Sequence, residues 1–183
     1  MTKKNQTFMI KILHTLPSYL VNDFNETLKD TELMDGAINN NLIDEIRKAK
    51  ISWVKDCKFL KRIYKDVVDY NKILYNFDLV GWGGNQCQFT VYEKDSHYDW
   101  HVDLSMDNLG LVTKLTTVTA LNDTDDYEGG KLLIKDFNGQ IHEFILNKGE
   151  TIIFPSMLFH KVTPITKGVR KSLVGWVVGP PFK

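Results

Sequence analysis

The chain has 183 residues, 43% of them hydrophobic, and its 23 basic and 23 acidic side chains leave a formal net charge of zero. That length buries one sizeable core, so we expect a single domain over residues 1–183. Neutrality argues against nucleic acid as the main partner, because phosphate neutralisation supplies most of that affinity.

The first apolar stretch, Phe8 to Leu13, is broken by Lys11, followed by His14 and ends near Pro17. It is too short and interrupted for the apolar core of a signal peptide, and far short of a membrane span. It reads as an early strand. Cys57 and Cys87 lack CxxC spacing and suit a reduced intracellular chain better than a disulfide scaffold. We therefore expect a cytoplasmic protein with no membrane partner.

From about Pro17 to Tyr75 the apolar residues recur at helical spacing. Leu42, Ile43 and Ile46 predict one side of a helix whose other side carries Asp44, Glu45, Arg47 and Lys48. A second run, Cys57 to Tyr75, places Phe59, Leu60, Ile63, Tyr64, Val67 and Val68 on one face. Residues 17–78 thus read as helical support. Gly81-Trp82-Gly83-Gly84 reads as a mobile loop near the site, and no phosphate-loop lysine follows it to suggest nucleotide binding.

From about Leu79 onward short β-type runs alternate with turn residues. The runs are Gln86–Tyr92, Tyr98–Asp103, Lys114–Leu121, Lys131–Lys135, Ile141–Leu146, Thr151–Phe154, His160–Pro164 and Arg170–Val178. Asn138-Gly139 is a hairpin signal, and Gly129-Gly130 a tight turn. So many short strands predict a sandwich or barrel over residues 79–183, with the helices laid on one outer face.

Five histidines occur, and two stand in a pattern. His101 and Asp103 are two apart in a β-type run, so alternation points both to one face. His160, from a later strand, would complete a 2-His-1-carboxylate site of the kind that holds non-haem Fe(II) and leaves positions open for co-substrate and oxygen. His97 and Asp99 form an overlapping HxD on the same predicted face, and the pattern alone does not choose between the two registers. His14 and His142 read as surface or satisfied histidines. Pro164 to Gly168 supply a turn, predicting His160 and Arg170 on neighbouring strands of one hairpin. Arg170 and Ser172 then share a face, where a guanidinium and a hydroxyl can receive the distal carboxylate of a dicarboxylic acid.

Tyr92, Tyr98-Asp-Trp-His101-Val-Asp103, Tyr127-Glu-Gly129-Gly130-Lys-Leu132, Gly149-Glu150-Thr-Ile-Ile-Phe154-Pro155, His160, Arg170-Lys-Ser172 and Trp176 follow one another in the order and spacing of a known family. Residues 92–176 resemble the prolyl 4-hydroxylase-type 2-oxoglutarate/Fe(II) dioxygenases, including their small bacterial and viral members. The resemblance selects the His101/Asp103 register and implies a double-stranded β-helix (jelly roll). It implies that His101, Asp103 and His160 bind Fe(2+), and that Arg170, Tyr92 and, more weakly, Ser172 bind the co-substrate 2-oxoglutarate. It further implies that Tyr98 and Trp176 wall the substrate side, that O2 is consumed, and that ascorbate binds. The expected reaction is hydroxylation of a C–H bond, with succinate and CO2 as co-products. The leading target is a prolyl residue of a peptide or protein. Alternatives are a lysyl residue, a free amino acid or small metabolite, or a non-catalytic cupin-like binding module. Two departures stand out: Glu93-Lys-Asp-Ser replaces the Pro-x-Gly of many relatives, and Thr116–Ala120 holds no tyrosine for the co-substrate.

Overall fold

A computed structural model describes residues 9–13, 15–36 and 45–182. Two antiparallel sheets face one another. The larger runs in the order β1 (Lys11–Ile12), β12 (Thr151–Pro155), β8 (Val112–Ala120), β15 (Arg170–Gly179), β6 (Gln86–Tyr92), β4 (Lys50–Lys55) and β2 (Met34–Asp35), with β5 (Gly81–Trp82) also paired to β15. The smaller runs β11 (Ile141–Phe144), β10 (Leu132–Lys135), β13 (His160–Val162), β7 (His97–His101) and β3 (Arg47–Lys48). A short ribbon, β9 (Tyr127–Gly129) with β14 (Ile165–Gly168), links them. The mainly β jelly roll expected from the sequence is the fold observed.

Alternation along the strands of the larger sheet builds two cores. Phe89, Val91, Leu115, Ile153, Leu173 and Val177 leave one face and pack on the helices α1 (Ser18–Thr27) and α2 (Lys58–Leu74). Tyr92, Val118, Ala120, Ile152 and Phe154 leave the other and meet Leu132, Ile134 and Val162 of the smaller sheet. The helices therefore cover one outer face. In α2, Phe59, Leu60, Ile63 and Val67 are buried at helical spacing, and Phe24 of α1 stacks on Phe59 with ring centroids 4.1 Å apart. Asn76, at φ 51°, ends α2 in the left-handed region, and its amide donates to the Asn71 carbonyl.

Several expectations are corrected. Arg47 and Lys48 lie in a strand, not on a helix, because each pairs with β7: Arg47 with Tyr98 and Lys48 with His97. Leu42, Ile43 and Asp44, like Phe8 and His14, lie outside the described residues. His160 and Arg170 are not on one hairpin, since β14 intervenes and pairs with β9, sending β13 and β15 to opposite sheets. Gly81–Trp82 is a paired strand, and Trp82 packs 5.5 Å from Tyr64 on the helix-covered face, away from the interior. Among the described residues no helix is long and apolar enough to cross a membrane.

Candidate metal centre

The interior between the sheets gathers polar side chains at one place. β7 ends on His101, and two residues later the Asp103 amide donates to the Ser156 carbonyl at 2.9 Å. His160 opens β13 directly opposite His101. The carboxylate and the two imidazoles converge, with candidate ligand atoms all within 4.8 Å of one another. His160 Nε2 lies 3.2 Å from Asp103 Oδ2, and His101 Nε2 lies 3.7 Å from Asp103 Oδ1.

A bulge in β7 separates the two overlapping HxD pairs. His160 pairs with His101 but Val162 pairs with Tyr98, so β7 carries one extra residue across this stretch. The extra residue brings Tyr98 onto the face of His101, where their rings stack with centroids 3.5 Å apart. His97 is left outside the cluster, its ring nitrogens each 3.2 Å from a backbone carbonyl, of Asp95 and of Glu45. Asp99 lies 3.7 Å from the Lys161 ammonium. The expectation that His97 and Asp99 share a face with His101 is thus corrected by one inserted residue.

Both clustered histidines are oriented by their own backbone. Nδ1 of His101 lies 2.7 Å from the Asp99 carbonyl, and Nδ1 of His160 lies 3.0 Å from that of Leu158. A carbonyl only accepts, so Nδ1 of each ring carries a proton and Nε2 is the nitrogen aimed at the cluster, where a metal would take it. Burial, and then the neighbouring His160, hold the His101 imidazole down at about 4, so it is neutral near pH 7. Burial pushes the Asp103 carboxyl up. The charge and hydrogen bond of His160 outweigh this, followed by His101 and a hydrogen bond from Trp176, and the carboxyl rests at about 2. Burial also opposes charging of His160, yet the Asp103 carboxylate beside it prevails and raises it. Thr116 Oγ1 donates to Asp103 Oδ2 at 2.8 Å and fixes the rotation of the carboxylate. A neutral His101 imidazole, a His160 imidazole whose proton a metal would displace, and an ionised carboxylate, each held from behind, fit a divalent ion such as Fe(2+).

The same cavity receives Arg170, Ser172, Tyr92 and Trp176 from the facing sheet. Arg170 is buried, and its Nη1 donates to Ser172 Oγ at 3.2 Å, so the predicted sharing of a face is observed. Its Cζ lies 5.3 Å over the Tyr92 ring. Burial pushes the Tyr92 phenol up and keeps it a protonated donor. Gly130 makes room for this arginine: at φ 59°, a Cβ there would lie 2.9 Å from Arg170 Cδ and 2.4 Å from Ile165 Cδ1. The turn Glu93–Ser96, which departs from Pro-x-Gly, is pinned to β14 by Asp95 N to the Ile165 carbonyl at 2.9 Å. His142, outside the site, is satisfied by Asp136 at 2.8 Å.

Three cavity or supporting residues escape the sequence reading: Arg47, Gln88 and Thr116. Arg47 carried a usable signal. Lys48 and Lys50 alternate with Ala49 and Ile51, a strand pattern that puts Arg47 inside with Ala49 and Ile51, and all three are buried. Thr116 carried none, since nothing in Thr116-Thr117-Val118-Thr119 says which hydroxyl meets a carboxylate.

A family model described as the 2OG-Fe(II) oxygenase superfamily matches residues 87–178. A PKHD-type hydroxylase of Herminiimonas arsenicoxydans is 38% identical over 94 residues, 49% of this chain and 41% of that protein. Another, from Idiomarina loihiensis, is 36% identical over 86 residues, 47% of this chain and 38% of that protein. The chain therefore spans about two-fifths of the length of these curated relatives. Among solved structures, a Pseudomonas putida prolyl-4-hydroxylase superposes with a TM-score of 0.77 at 22% identity, covering 93% of this chain and 92% of that one. A Trichoplax adhaerens prolyl hydroxylase, solved with a hypoxia inducible factor peptide fragment, gives 0.74 at 19% identity, covering 93% and 84%. At those identities the likeness is one of fold.

Proposed function

Since the chain belongs to the 2OG-Fe(II) oxygenase superfamily, we propose that it hydroxylates a prolyl residue of a peptide or protein at C4, with iron held by His101, Asp103 and His160. The observation that carries this reading is the arrangement of the cluster. Its imidazole Nε2 atoms and its carboxylate point into a cavity that the buried Arg170 shares. A cupin-like binding module has no need of a buried guanidinium beside its metal ligands, which argues against a non-catalytic reading.

When bound, Fe(2+) and 2-oxoglutarate supply the O2 chemistry that turns C–H into C–OH and releases succinate and CO2. The chain's own residues set the stage. Arg170 pairs with the C5 carboxylate of 2-oxoglutarate, with the Tyr92 hydroxyl and Ser172 as further donors. Tyr98 shields His101, and Trp176 holds Asp103 while forming the substrate-side wall. Val118, Leu132, Val162 and Val174 keep the rest of the lining apolar and limit water. Fold likeness to the prolyl hydroxylases supports the prolyl target; the PKHD-type relatives support a hydroxylase without choosing the target.

Incubation of the iron-loaded protein with 2-oxoglutarate and proline-containing peptides tests this by mass spectrometry. A gain of one oxygen on proline with matching succinate is expected. Oxygen gained on lysine, or only on a free amino acid or metabolite, would replace the prolyl target with those alternatives. Ascorbate is expected to raise the number of turnovers per enzyme, and an unchanged number would remove it as an accessory reductant.

A further inference from the structure

We infer that the outer face of the smaller sheet carries a second ligand site. It is a slot between Trp100, Phe159 and Ile141 that takes a small planar aromatic carboxylate, with the anionic end on Lys135. The site is independent of the proposed hydroxylase reading. Trp100 and Phe159 each precede a candidate metal ligand in the chain, His101 and His160. They turn to the opposite face of the sheet from those histidines, and the slot shares no lining residue with the metal cavity.

A sheet face left to solvent is normally polar, since only the inner face has a core to meet. Helices α1 and α2 pack on the larger sheet and leave this face open. Yet Phe159 is 53% exposed and Ile141 54%, with the half-buried Trp100 beside them. Exposed apolar side chains scattered singly are ordinary, whereas three around one cavity mark a place where a ligand docks. Backbone pairing gathers them. Lys135 pairs with Ile141, so their side chains share a face, and on its other side the Lys135 amide donates to the Phe159 carbonyl at 2.8 Å.

Charge and size select the ligand. The Lys161 ammonium lies 5.3 Å from the Trp100 ring centroid and 3.7 Å from the Asp99 carboxylate, so it is engaged and steadies the indole. Lys135 is exposed, and its ammonium has no partner among the described residues. The slot thus offers apolar walls and one available cation, which matches one carboxylate and leaves a second anionic group unpaired. Its volume is about 230 Å³. An apolar cavity of about 150 Å³ holds benzene, so this one takes a ring with a short carboxylate arm and is too small for a stretch of peptide. Indole and phenyl walls favour a flat ring, which they meet in offset or edge contacts.

Calorimetry on the full chain, with Zn(2+) and 2-oxoglutarate present to fill the metal cavity, tests this with 3-phenylpropionate and its uncharged amide as probes. The acid is expected to bind saturably at sub-millimolar concentration and the amide about tenfold more weakly, the worth of one charged hydrogen bond. Lys135→Met should weaken the acid about tenfold and leave the amide unchanged. Phe159→Ala, at an exposed position, should abolish saturable binding of both, while a wild-type urea midpoint shows that the variant folds. Equal affinity of the wild type for acid and amide would overturn the inference, as would acid affinity unchanged in Lys135→Met. Loss of the acid in Arg170→Ala with binding kept in Phe159→Ala would place the probe in the metal cavity and overturn it too. Absence of saturable acid binding would overturn the small-molecule occupant. A peptide with an aromatic residue beside an aspartate that bound in its stead would give the slot to a partner protein's side chain.

Discussion

The two faces of the larger sheet use the same strands for opposite purposes. On β15, Leu173 and Val177 turn toward the helices into a largely apolar core, while Arg170, Ser172 and Trp176, one residue out of phase, turn inward to the cavity of His101, Asp103 and His160. On β8 the pair is Leu115 outside and Thr116 inside. The inner face buries charge and hydroxyls that cost free energy unless partnered, and the outer face supplies the apolar burial that offsets them. Stability and chemistry are thereby separated by a single step along each strand.

Substitutions on the two faces test that separation. The largest effect is expected from Asp103→Ala or His101→Ala, which should abolish turnover and metal binding, read by calorimetry, while the thermal midpoint of the metal-free protein moves little. Collapse of the metal-free fold in these variants would show that the inner face also holds the structure together. Next, Leu173→Ala should destabilise by about 2–5 kcal/mol in urea melts. It should leave metal affinity intact below the transition, and a parallel loss of metal affinity would break the separation of faces. Arg170→Ala should raise the 2-oxoglutarate requirement by about 10–100-fold, the equivalent of one charged hydrogen-bond pair, with metal affinity unchanged. Unchanged 2-oxoglutarate affinity would remove Arg170 from that role. Thr116→Val keeps the shape and deletes the donor to Asp103, so metal affinity should fall by about 10-fold, at the low end for a residue that supports a ligand. The smallest effect is expected from His97→Ala, which should retain most turnover. A loss as deep as that of His101→Ala would show that the other HxD register carries the metal.

Legibility differs between the faces as well. The outer face follows from hydrophobic alternation alone, and the helix over Lys58–Leu74 from apolar spacing. The inner face was legible where a motif named the residue: His101, Asp103, His160 and the Arg170/Ser172 pair. It was illegible where a residue's partner lay on another strand, as with Thr116 and Asp103 or Arg47 and Gln88. The predicted helix through Arg47 failed because a few residues of charge and apolar pattern fit a strand equally well, and pairing with β7 decided between them.

The sequence by itself determined which side chains share a face within one unbroken strand, because successive Cβ atoms must alternate across an extended backbone. Only the tertiary structure decided where alternation is interrupted, as by the extra residue between Tyr98 and His101. It also decided which strands face one another: Arg170 meets His160 across the interior of the sandwich, not along a hairpin. Those choices belong to hydrogen bonds and packing between segments far apart in the chain, and no local pattern encodes them.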